Sequence, residues 1–297
     1  MASKTSNFFI RPQAALALVI AAAISSSPAA AAQLKPETIA AFDRYVQASE
    51  SKMAAEDYGG GQFLYLDGLP SDRRAAALER LQRGEVVIEK LETSANGKAI
   101  TAPGGMIHDW IGTVFISGAT LQQTLALEED YDRHQEIFQP EVVRSKILRR
   151  NGGDFTVYFR LRKKKIITTI LDTDHEVQYQ VIDATHAESR SRTTRIQEVE
   201  NAGQANESLK PVGDDNGFLW RMNTYWRFEE KDGGTYVECR SISLTRDIPT
   251  GLGWMIAPIV TSIPRESLTF TLGTTRAALL KRAARSILPT SPPASED

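Results

Sequence analysis

The sequence predicts an α+β fold in which a long C-terminal helix packs against an antiparallel sheet. Two turn sequences, Asn151-Gly152-Gly153 and Lys231-Asp232-Gly233-Gly234, each join two strand-like segments, as hairpin turns do. Strands joined in this way pair antiparallel. The second observation concerns residues 263–288. If they form a helix, with about 100° of rotation per residue, their apolar side chains cover an arc of roughly 200° around the helix axis. Such a wide arc indicates a helix held in a concave sheet and covered on two sides.

Residues 263–288 carry helix signals at their start. Ser262 is a suitable N-cap, and Pro264 would stand in the first turn, where its missing N–H costs nothing. The apolar arc of this helix consists of Leu268, Leu272, Leu279 and Ala283 on one flank, with Phe270, Gly273, Ala277, Leu280, Ala284 and Ile287 beside them. Arg276 falls inside the arc. We therefore expect it to face either a carboxylate of the sheet or an anionic ligand.

Residues 1–32 have the composition of a secretory signal peptide. Lys4 and Arg11 supply a positive n-region, an apolar run follows, and a series of alanines offers a cleavage site before Gln33. The apolar run is shorter than the ~20 residues that a membrane-spanning helix needs. We predict that the leader is cleaved and that the protein is exported, to the periplasm or out of the cell.

The overall charge and the cysteine content exclude some classes of function. The formal net charge is −2, and loss of Lys4 and Arg11 with the leader would leave 33 basic against 37 acidic residues. This balance argues against nucleic-acid binding, which usually requires a basic footprint. Because Cys239 is the only cysteine, an intramolecular disulfide and a cysteine-based zinc site are excluded.

The remaining elements follow in order along the chain. Residues 33–83 are predicted to be a helical N-terminal extension, and residues 84–288 the main domain, followed by a disordered tail at 289–297. Within the main domain, strands are predicted at 85–91, 106–116, 142–150, 155–162, 166–180, 186–200, 218–230 and 235–248. A helix is predicted between the second and third of these strands, ending near Pro140.

Two stretches resemble START/Bet v 1-like (SRPBCC) proteins, a superfamily that includes polyketide-cyclase-like, coenzyme-Q-binding and lipid-transport-like members. Residues 115–161 contain a strand, a short helix ending in Asp130-Tyr131, then Pro140 and a first hairpin. Residues 253–272 are similar to the loop and proline-led helix that these families place last. The resemblance covers roughly residues 85–288. It implies the helix-grip fold, a curved sheet wrapped around the last helix with a ligand cavity between them.

Charged side chains inside the predicted strands are the most unusual feature of the chain. A period of two places Arg190 and Arg192 on one face of strand 186–200 and Arg195 on the other. In the last two strands, Arg221 lies opposite an apolar face, and Glu238 alternates with Cys239.

Two interpretations of these charges remain open. They form either a solvated convex face with cross-strand ion pairs, or part of the cavity lining, where arginines could bind a carboxylate or phosphate in a bidentate manner. On the second interpretation, the candidate ligand-binding residues are Arg190, Arg192, Arg221, Arg240, Glu238 and Arg276.

Residues 251–264 are apolar but rich in glycine and proline, which is not typical of a strand or of a regular long helix. Trp254 and Met255 in this segment are candidates for the lining of the cavity mouth, and by resemblance this region gates the cavity. Packing over the edge of the sheet is the alternative. The run Lys163-Lys164-Lys165 is expected at a solvated hairpin tip, with transient contact to anionic membrane lipids as an alternative.

No local motif indicates catalysis or a cofactor. A strand would place Asp172 and Asp174 on one side and His175 on the other, so no metal site is predicted there. Sequence motifs for nucleotide binding, serine hydrolases and zinc proteases are absent. No cofactor is expected.

The sequence supports three hypotheses about function. The first is a carrier or sensor that binds a hydrophobic or amphipathic small molecule, such as a lipid, without catalysis. The second is an enzyme of cyclase or hydrolase type, in which Glu188, Glu238 or His186 acts from inside the cavity. The third is an envelope module that binds another protein through residues 33–83 or 251–264.

Overall fold

The computed structural model describes residues 32–57, 62–95, 97–165, 167–248 and 253–287. Of the predicted leader, residues 1–32, only Ala32 belongs to the described residues. The predicted tail at 289–297 lies wholly outside them. Cleavage of the leader and disorder of the tail therefore stay predictions.

The described residues contain one large sheet and two small ones. The strands in chain order are β1 (Ala32–Gln33), β2 (Val87–Lys90), β3 (Ser94–Ala95), β4 (Lys98–Ala99), β5 (Gly105–Ser117), β6 (Val142–Asn151), β7 (Asp154–Lys164), β8 (Thr168–Val181), β9 (His186–Glu200), β10 (Ser208–Leu209), β11 (Asp214–Asp215), β12 (Arg221–Lys231) and β13 (Gly234–Arg246). The large sheet has the order β2-β5-β13-β12-β9-β8-β7-β6, with β10 paired to β9. Its neighbouring strands are antiparallel throughout. β1 pairs with β11, and β3 with β4.

The predicted hairpins are confirmed. Between β12 and β13, Asp232 and Gly233 have φ values of 57° and 74°. A type I′ turn requires positive φ at both of its central residues, and this turn follows the twist of the two strands. The turn between β6 and β7 has Gly152 at a φ of 59°.

The helices are α1 (Pro36–Asp57), α2 (Ser71–Gln82), α3 (Leu121–Glu128), α4 (His134–Ile137) and α5 (Gly253–Ile287), with short 3-10 turns at Tyr65–Gly68 and Tyr131–Arg133. The side chain of Thr120 accepts a hydrogen bond from the Gln123 amide, and the Gln123 side chain accepts one from the Thr120 amide, so a capping box starts α3. The helix predicted to end near Pro140 is divided in the structure into α3 and α4, with the 3-10 turn at Tyr131–Arg133 between them.

The start of α5 differs from the prediction. The helix begins at Gly253 rather than at residue 263, so most of the segment predicted as an irregular gate is helical. Pro264 consequently lies inside the helix, where it cannot donate an amide hydrogen bond to the carbonyl of Val260. Nearby, the Thr261 hydroxyl donates to the Ala257 carbonyl at 2.7 Å. The glycines and prolines of residues 251–264 lower the local helix propensity and favoured an irregular segment before residue 263, but the helix extends back to Gly253.

The two faces of the sheet can be defined by register. One row of cross-strand partners runs through Trp110, Ser241, Thr224 and Ser191, and the adjacent row runs through Ile111, Arg240, Tyr225 and Arg190. Because alternate residues point to opposite faces, the two rows lie on different sides. The first row shares its face with Val114, Val237 and Cys239, which pack against Leu268 and Leu272 of α5. We call this side the inner face and the other side the outer face.

The N-terminal extension covers the outer face. From α1, Ala41, Phe42 and Tyr45 pack with Ile242 and Leu244. Farther along the sheet, a second cluster consists of Leu64, Leu66, Leu81, Phe115 and Tyr236. The sheet is thus the middle layer of three. Its antiparallel strands and the C-terminal helix on its inner face confirm the predicted α+β class with a helix-grip arrangement.

Candidate functional site

The candidate site is the inner face of the sheet beneath α5. A buried seam of the helix, formed by Leu268, Leu272 and Leu279, belongs to the same core cluster as β5 and β13. Gly112 of β5 allows the closest approach. A Cβ atom at this position would lie 2.7 Å from Leu272 Cδ1 and 3.2 Å from Leu268 Cδ2, which is too close for an unaltered contact. The helix is therefore held tightly along this seam.

The row next to Gly112 is covered less completely. Trp110, Ser241, Thr224 and Ser191, which are partners across four adjacent strands, are all half-buried, although they lie on the inner face. Trp226, beside them on β12, is half-buried as well. Since inner-face residues of a filled core would be fully buried, part of the inner face stays accessible. We call these five residues the inner-wall row.

The inner-wall row combines aromatic rings with small hydroxyl groups. The indole N–H of Trp110 is buried and has no hydrogen-bond acceptor among the described residues. The hydroxyl of Ser191 lies 3.4 Å from His175 Nδ1. Rings of this kind bind apolar groups, whereas free donors and hydroxyls bind oxygen atoms. The chemistry of the row therefore suits a molecule that has both.

A second wall comes from the segment between α3 and β6. Tyr131 packs edge-to-face on Phe155, with 5.4 Å between the ring centroids, and its hydroxyl lies 2.9 Å from the hydroxyl of Tyr179 on β8. Burial raises the pKa of both phenols, so both are neutral near pH 7. His134 is also buried, and burial lowers its pKa to about 4. This wall is aromatic and uncharged.

Glu128, at the end of α3, is the buried carboxyl group nearest to the helix seam. Its Oε1 accepts a hydrogen bond from Thr275 Oγ1 of α5 at 3.0 Å. Burial raises the pKa of Glu128 to about 7, against the opposing effects of the Thr275 hydrogen bond and the positive charge of Arg282. The site therefore holds one carboxyl group that changes its charge near neutral pH.

This titration predicts a fall in stability with rising pH. Because the pKa of Glu128 is about 7 in the folded protein and near its ordinary 4.5 after unfolding, the folded state holds the proton between these values. The free energy of unfolding should drop through this pH window by up to about 3 kcal/mol, and Glu128→Gln should remove that drop. Urea unfolding at pH 5 and pH 8 measures it.

Thr275→Val provides the matched control for this prediction. It leaves the carboxyl group in place but removes the donor that lowers its pKa, so the pH-dependent drop should persist. Burial also raises the pKa of Glu238, on the outer face, to about 7. The free energy of unfolding therefore falls with rising pH on account of Glu238 as well, and Glu238→Gln is needed for comparison. An unchanged drop in the Glu128→Gln variant would contradict the assignment.

His175 is a further buried polar group of the inner face. Its Nε2 lies 2.9 Å from Thr173 Oγ1, and burial lowers its pKa to about 4. It is the cross-strand partner of Thr193, whereas its neighbour Asp174 pairs with Arg195. Thr194 is thus an extra residue in a β-bulge. The bulge moves Arg195 to the outer face, where its Nε donates to Asp174 at 2.7 Å, so the strict alternation predicted for this strand is wrong beyond Thr193.

Three of the predicted ligand-binding residues, Arg190, Arg192 and Arg221, lie on the outer face. Arg190 and Arg192 are exposed, with 57% and 69% of the side-chain surface accessible. All three have intramolecular partners: Glu188 at 3.6 Å for Arg190, Glu176 at 2.6 Å for Arg192, and the Trp220 carbonyl at 2.8 Å for Arg221. Of the two interpretations, the structure agrees with an outer face laced with intramolecular charge pairs.

Arg240 and Glu238 are also on the outer face, but they are buried beneath the extension. Arg240 forms a bidentate pair with Asp109, at 2.9 Å and 2.6 Å. Glu238 accepts a hydrogen bond from the Tyr65 amide at 2.9 Å. The prediction that these two residues line the cavity is therefore wrong. They are buried because the N-terminal extension covers them with apolar side chains and, at Glu238, supplies a hydrogen-bond donor.

Among the described residues, Arg276 forms no ion pair with a carboxylate of the sheet, which was one of the two partners expected for it. Its Nε donates to the Phe115 carbonyl at 3.3 Å, and its guanidinium lies against Gly84, where an added Cβ would be 2.3 Å from Nη2. The helix arc is also narrower than predicted, since Ala277 and Ala284 are exposed. Trp254 and Met255 fall in the first turns of α5, and their side chains lie outside the described residues.

Sequence reasoning missed most of the residues that line the site. Thr275 could have been found, because Leu268, Leu272, Thr275 and Leu279 follow the four-three-four spacing of a buried helix seam. Trp110 could have been found as the inward-facing residue of a predicted strand. Nothing local in the sequence identifies Glu128 as buried, since its burial depends on α5, which lies far along the chain.

A second depression lies between the start of β8 and the end of β9. This groove has a volume of about 540 Å³, and its lining includes Ile170, Glu198, Lys210 and Phe218. Lys210 Nζ lies 3.6 Å from Glu198 and 3.5 Å from Glu200. Because Lys210 already pairs with two carboxylates, it is not free to bind an anionic ligand, and we keep the inner face as the candidate site.

The described residues contain neither a cluster of metal ligands nor a membrane-spanning helix. No three His, Cys, Asp or Glu side chains in the described ranges come together as ligands of a metal ion would. Within the same ranges, no helix is both long enough and apolar enough to span a membrane.

Comparison with known proteins finds similar structures but no sequence family. No protein-family model matches the chain, and no curated protein matches it significantly. Similar solved structures include a protein from Thermus thermophilus (13% identity, TM-score 0.43), which covers 58% of this chain and 97% of its own. A STAR-related lipid transfer protein from Xanthomonas axonopodis (16%, 0.42) covers 65% and 93%. The Zhui aromatase/cyclase from a Streptomyces species (12%, 0.43) covers 60% and 96%.

These matches concern the fold alone. At such low identities and TM-scores, they carry no argument about a ligand or a reaction. An antiparallel sheet with the C-terminal helix α5 packed on one face is the helix-grip arrangement that the resemblance to START/Bet v 1-like proteins implied. That resemblance is therefore confirmed at the level of the fold.

Proposed function

We propose that this protein binds a hydrophobic or amphipathic small molecule between the inner face of the sheet and α5, as a carrier or sensor without catalysis. The observation that carries the proposal is the inner-wall row, whose side chains keep accessible surface although they lie on the face of the sheet that carries the core. Trp110 and Trp226 supply apolar surface, and the indole N–H of Trp110 supplies a free donor. A ligand with an apolar body and an oxygen atom matches both.

The positions of the charged residues favour binding over catalysis. The acid/base candidates for an enzyme were Glu188, Glu238 and His186, and all three share the outer face, since they pair in register with residues of that face. His186 Nδ1 lies 2.9 Å from Asp183, on the surface of the molecule. His175, which does line the inner face, is buried, and burial lowers its pKa to about 4, so its ring is neutral near pH 7.

The N-terminal extension favours the small-molecule proposal over a protein-binding module. Its apolar residues, among them Phe42 and Leu81, are buried against the protein's own sheet rather than displayed. We further propose that the protein is exported, because residues 1–32 have the composition of a signal peptide.

Two measurements test the binding proposal. Organic extraction of the purified protein followed by mass spectrometry should yield a co-purified amphipathic molecule. Separately, a dibrominated stearic acid should quench tryptophan emission, because bromine atoms act only at close range. The quenching should be much weaker in the double variant Trp110→Phe/Trp226→Phe than in Trp220→Phe.

Trp220 is the matched control because it is buried on the outer face, where its Nε1 donates to Asp215 at 3.0 Å. Unbrominated stearic acid should leave the emission unquenched in each protein. Equal quenching of the two variants would place the fatty acid elsewhere. No bound molecule and no quenching at all would refute the proposed function.

A further inference from the structure

The free edge of the sheet at β6 concentrates positive charge. The strand β6 reads VVRSKILRRN, with four basic residues and no acidic one, in a chain that carries more acidic than basic residues overall. In the large sheet it is bonded on one side only, to β7. One of its basic residues, Arg150, is paired with Glu129 at 2.7 Å and lies over the ring of Phe155.

The other three basic residues point the same way and have no ionic partner. Arg144, Lys146 and Arg149 are the cross-strand partners of residues 160, 158 and 156 of β7, which alternate along that strand and therefore share one face. All three are exposed, and within the described part of the chain none of them forms an ion pair. Arg144 even stands opposite Arg160, an arrangement of like charges that costs stability.

One of the two arginines on β7, Arg160, is not available to bind an anionic partner. Arg160 forms a bidentate pair with Asp172, at 2.7 Å and 2.9 Å, and a further ion pair with Glu207 at 2.9 Å. Arg160 therefore adds no unpaired charge to that of the edge strand.

Two large apolar side chains flank these charges. Val143 and Leu148 are 49% and 52% exposed, and each stands at a register shift of the β6–β7 ladder. Such bulges disrupt the regular spacing of backbone groups that a further strand would need for pairing. The edge is therefore unsuited to a peptide that adds as a strand. Basic groups interspersed with exposed apolar side chains instead match a surface with anionic headgroups and an apolar layer below them.

We propose that this basic edge, formed by Val143, Arg144, Lys146, Leu148 and Arg149, docks on an anionic lipid membrane surface. The three cations contact the headgroups, and the two apolar side chains enter the interfacial layer. The docking needs no membrane-spanning segment and does not depend on what the inner face binds. Charge and bulges at an edge also prevent sheet-to-sheet aggregation, but that role would be served by charges of either sign.

Sedimentation with vesicles tests the proposal. The full chain should bind vesicles of phosphatidylglycerol and phosphatidylcholine, bind pure phosphatidylcholine poorly, and dissociate as salt is raised. The triple variant R144Q/K146Q/R149Q should bind about a hundredfold more weakly, since each basic residue near such a surface contributes on the order of a fivefold to tenfold gain. Arg192→Gln is the matched control, because Arg192 is equally exposed but already paired with Glu176.

Charge reversal separates docking from edge protection. The variant R144E/K146E/R149E keeps a charged edge, so it should stay folded in the oligomeric state of the wild type while losing all binding to the anionic vesicles. Replacing Val143 and Leu148 by serine should weaken binding without changing its salt dependence. Absence of vesicle binding by the wild type, equal binding by the triple variant, or binding to a soluble polyanion but not to vesicles would each overturn the proposal.

Discussion

Asp109→Ala should destabilise the protein by about 3–5 kcal/mol, because it leaves Arg240 buried and charged without a partner. The two side chains are 1% and 7% exposed and meet at 2.6 Å. Asp109 also accepts a hydrogen bond from Tyr45 of α1 at 2.9 Å, so the pair fastens the extension to the sheet. Chemical unfolding, together with protease cleavage of the extension, measures both effects.

The double variant Asp109→Leu/Arg240→Leu provides the comparison. It removes both charges and keeps apolar volume, so it should recover much of the stability that either single change loses. Tyr45→Phe, which deletes one hydrogen bond to the carboxylate, should cost about 1.5–3 kcal/mol. If Asp109→Ala unfolded at the wild-type urea concentration, the pair would have no role in holding the layers together.

Leu272→Ala should cost about 2–5 kcal/mol, because Leu272 is fully buried in the seam between α5 and the sheet. Gly112→Ala should also destabilise, by about 1–3 kcal/mol, because its new methyl group would meet Leu272 Cδ1 at 2.7 Å. The methyl group added at one position would then fill part of the space left at the other. We therefore expect the double variant to lose less stability than the two single variants together.

A double-mutant cycle in urea measures this coupling. Leu280→Ala is the control, since Leu280 packs on the same cluster but is only partly buried, and its loss should be smaller. Additive losses at Gly112 and Leu272 would mean that the helix does not contact the sheet along this seam.

Much of the fold could be predicted because the signals are local. The turn at Asp232 and Gly233 needs positive φ at both positions, and that requirement is visible in the residue types themselves. The seam of α5 could likewise be inferred from the spacing of its leucines. Its start could not, because Pro264 and the neighbouring glycines lower helix propensity locally, while the structure carries the helix back to Gly253.

The lining of the site was harder to predict. Alternation shows which residues share a face, but it does not say which face meets the helix, so Arg240 could be assigned to either side. The bulge at Thr194 then changes the alternation within β9 itself. The decisive fact was the docking of the extension on the outer face, and long-range packing of this kind leaves no mark in short stretches of sequence.

The docking of the extension has a consequence for how the interior could change its volume. Because α1 and α2 cover the outer face of the sheet, the interior could gain volume only on the other side, where α5 would have to separate from the sheet along its buried seam. There the turn after β7 is tied to the helix by Lys165 and Glu266, an exposed pair at 2.5 Å that water and salt weaken readily. If the interior expands to admit a ligand, α5 would therefore move away from the sheet while the sheet stays in place.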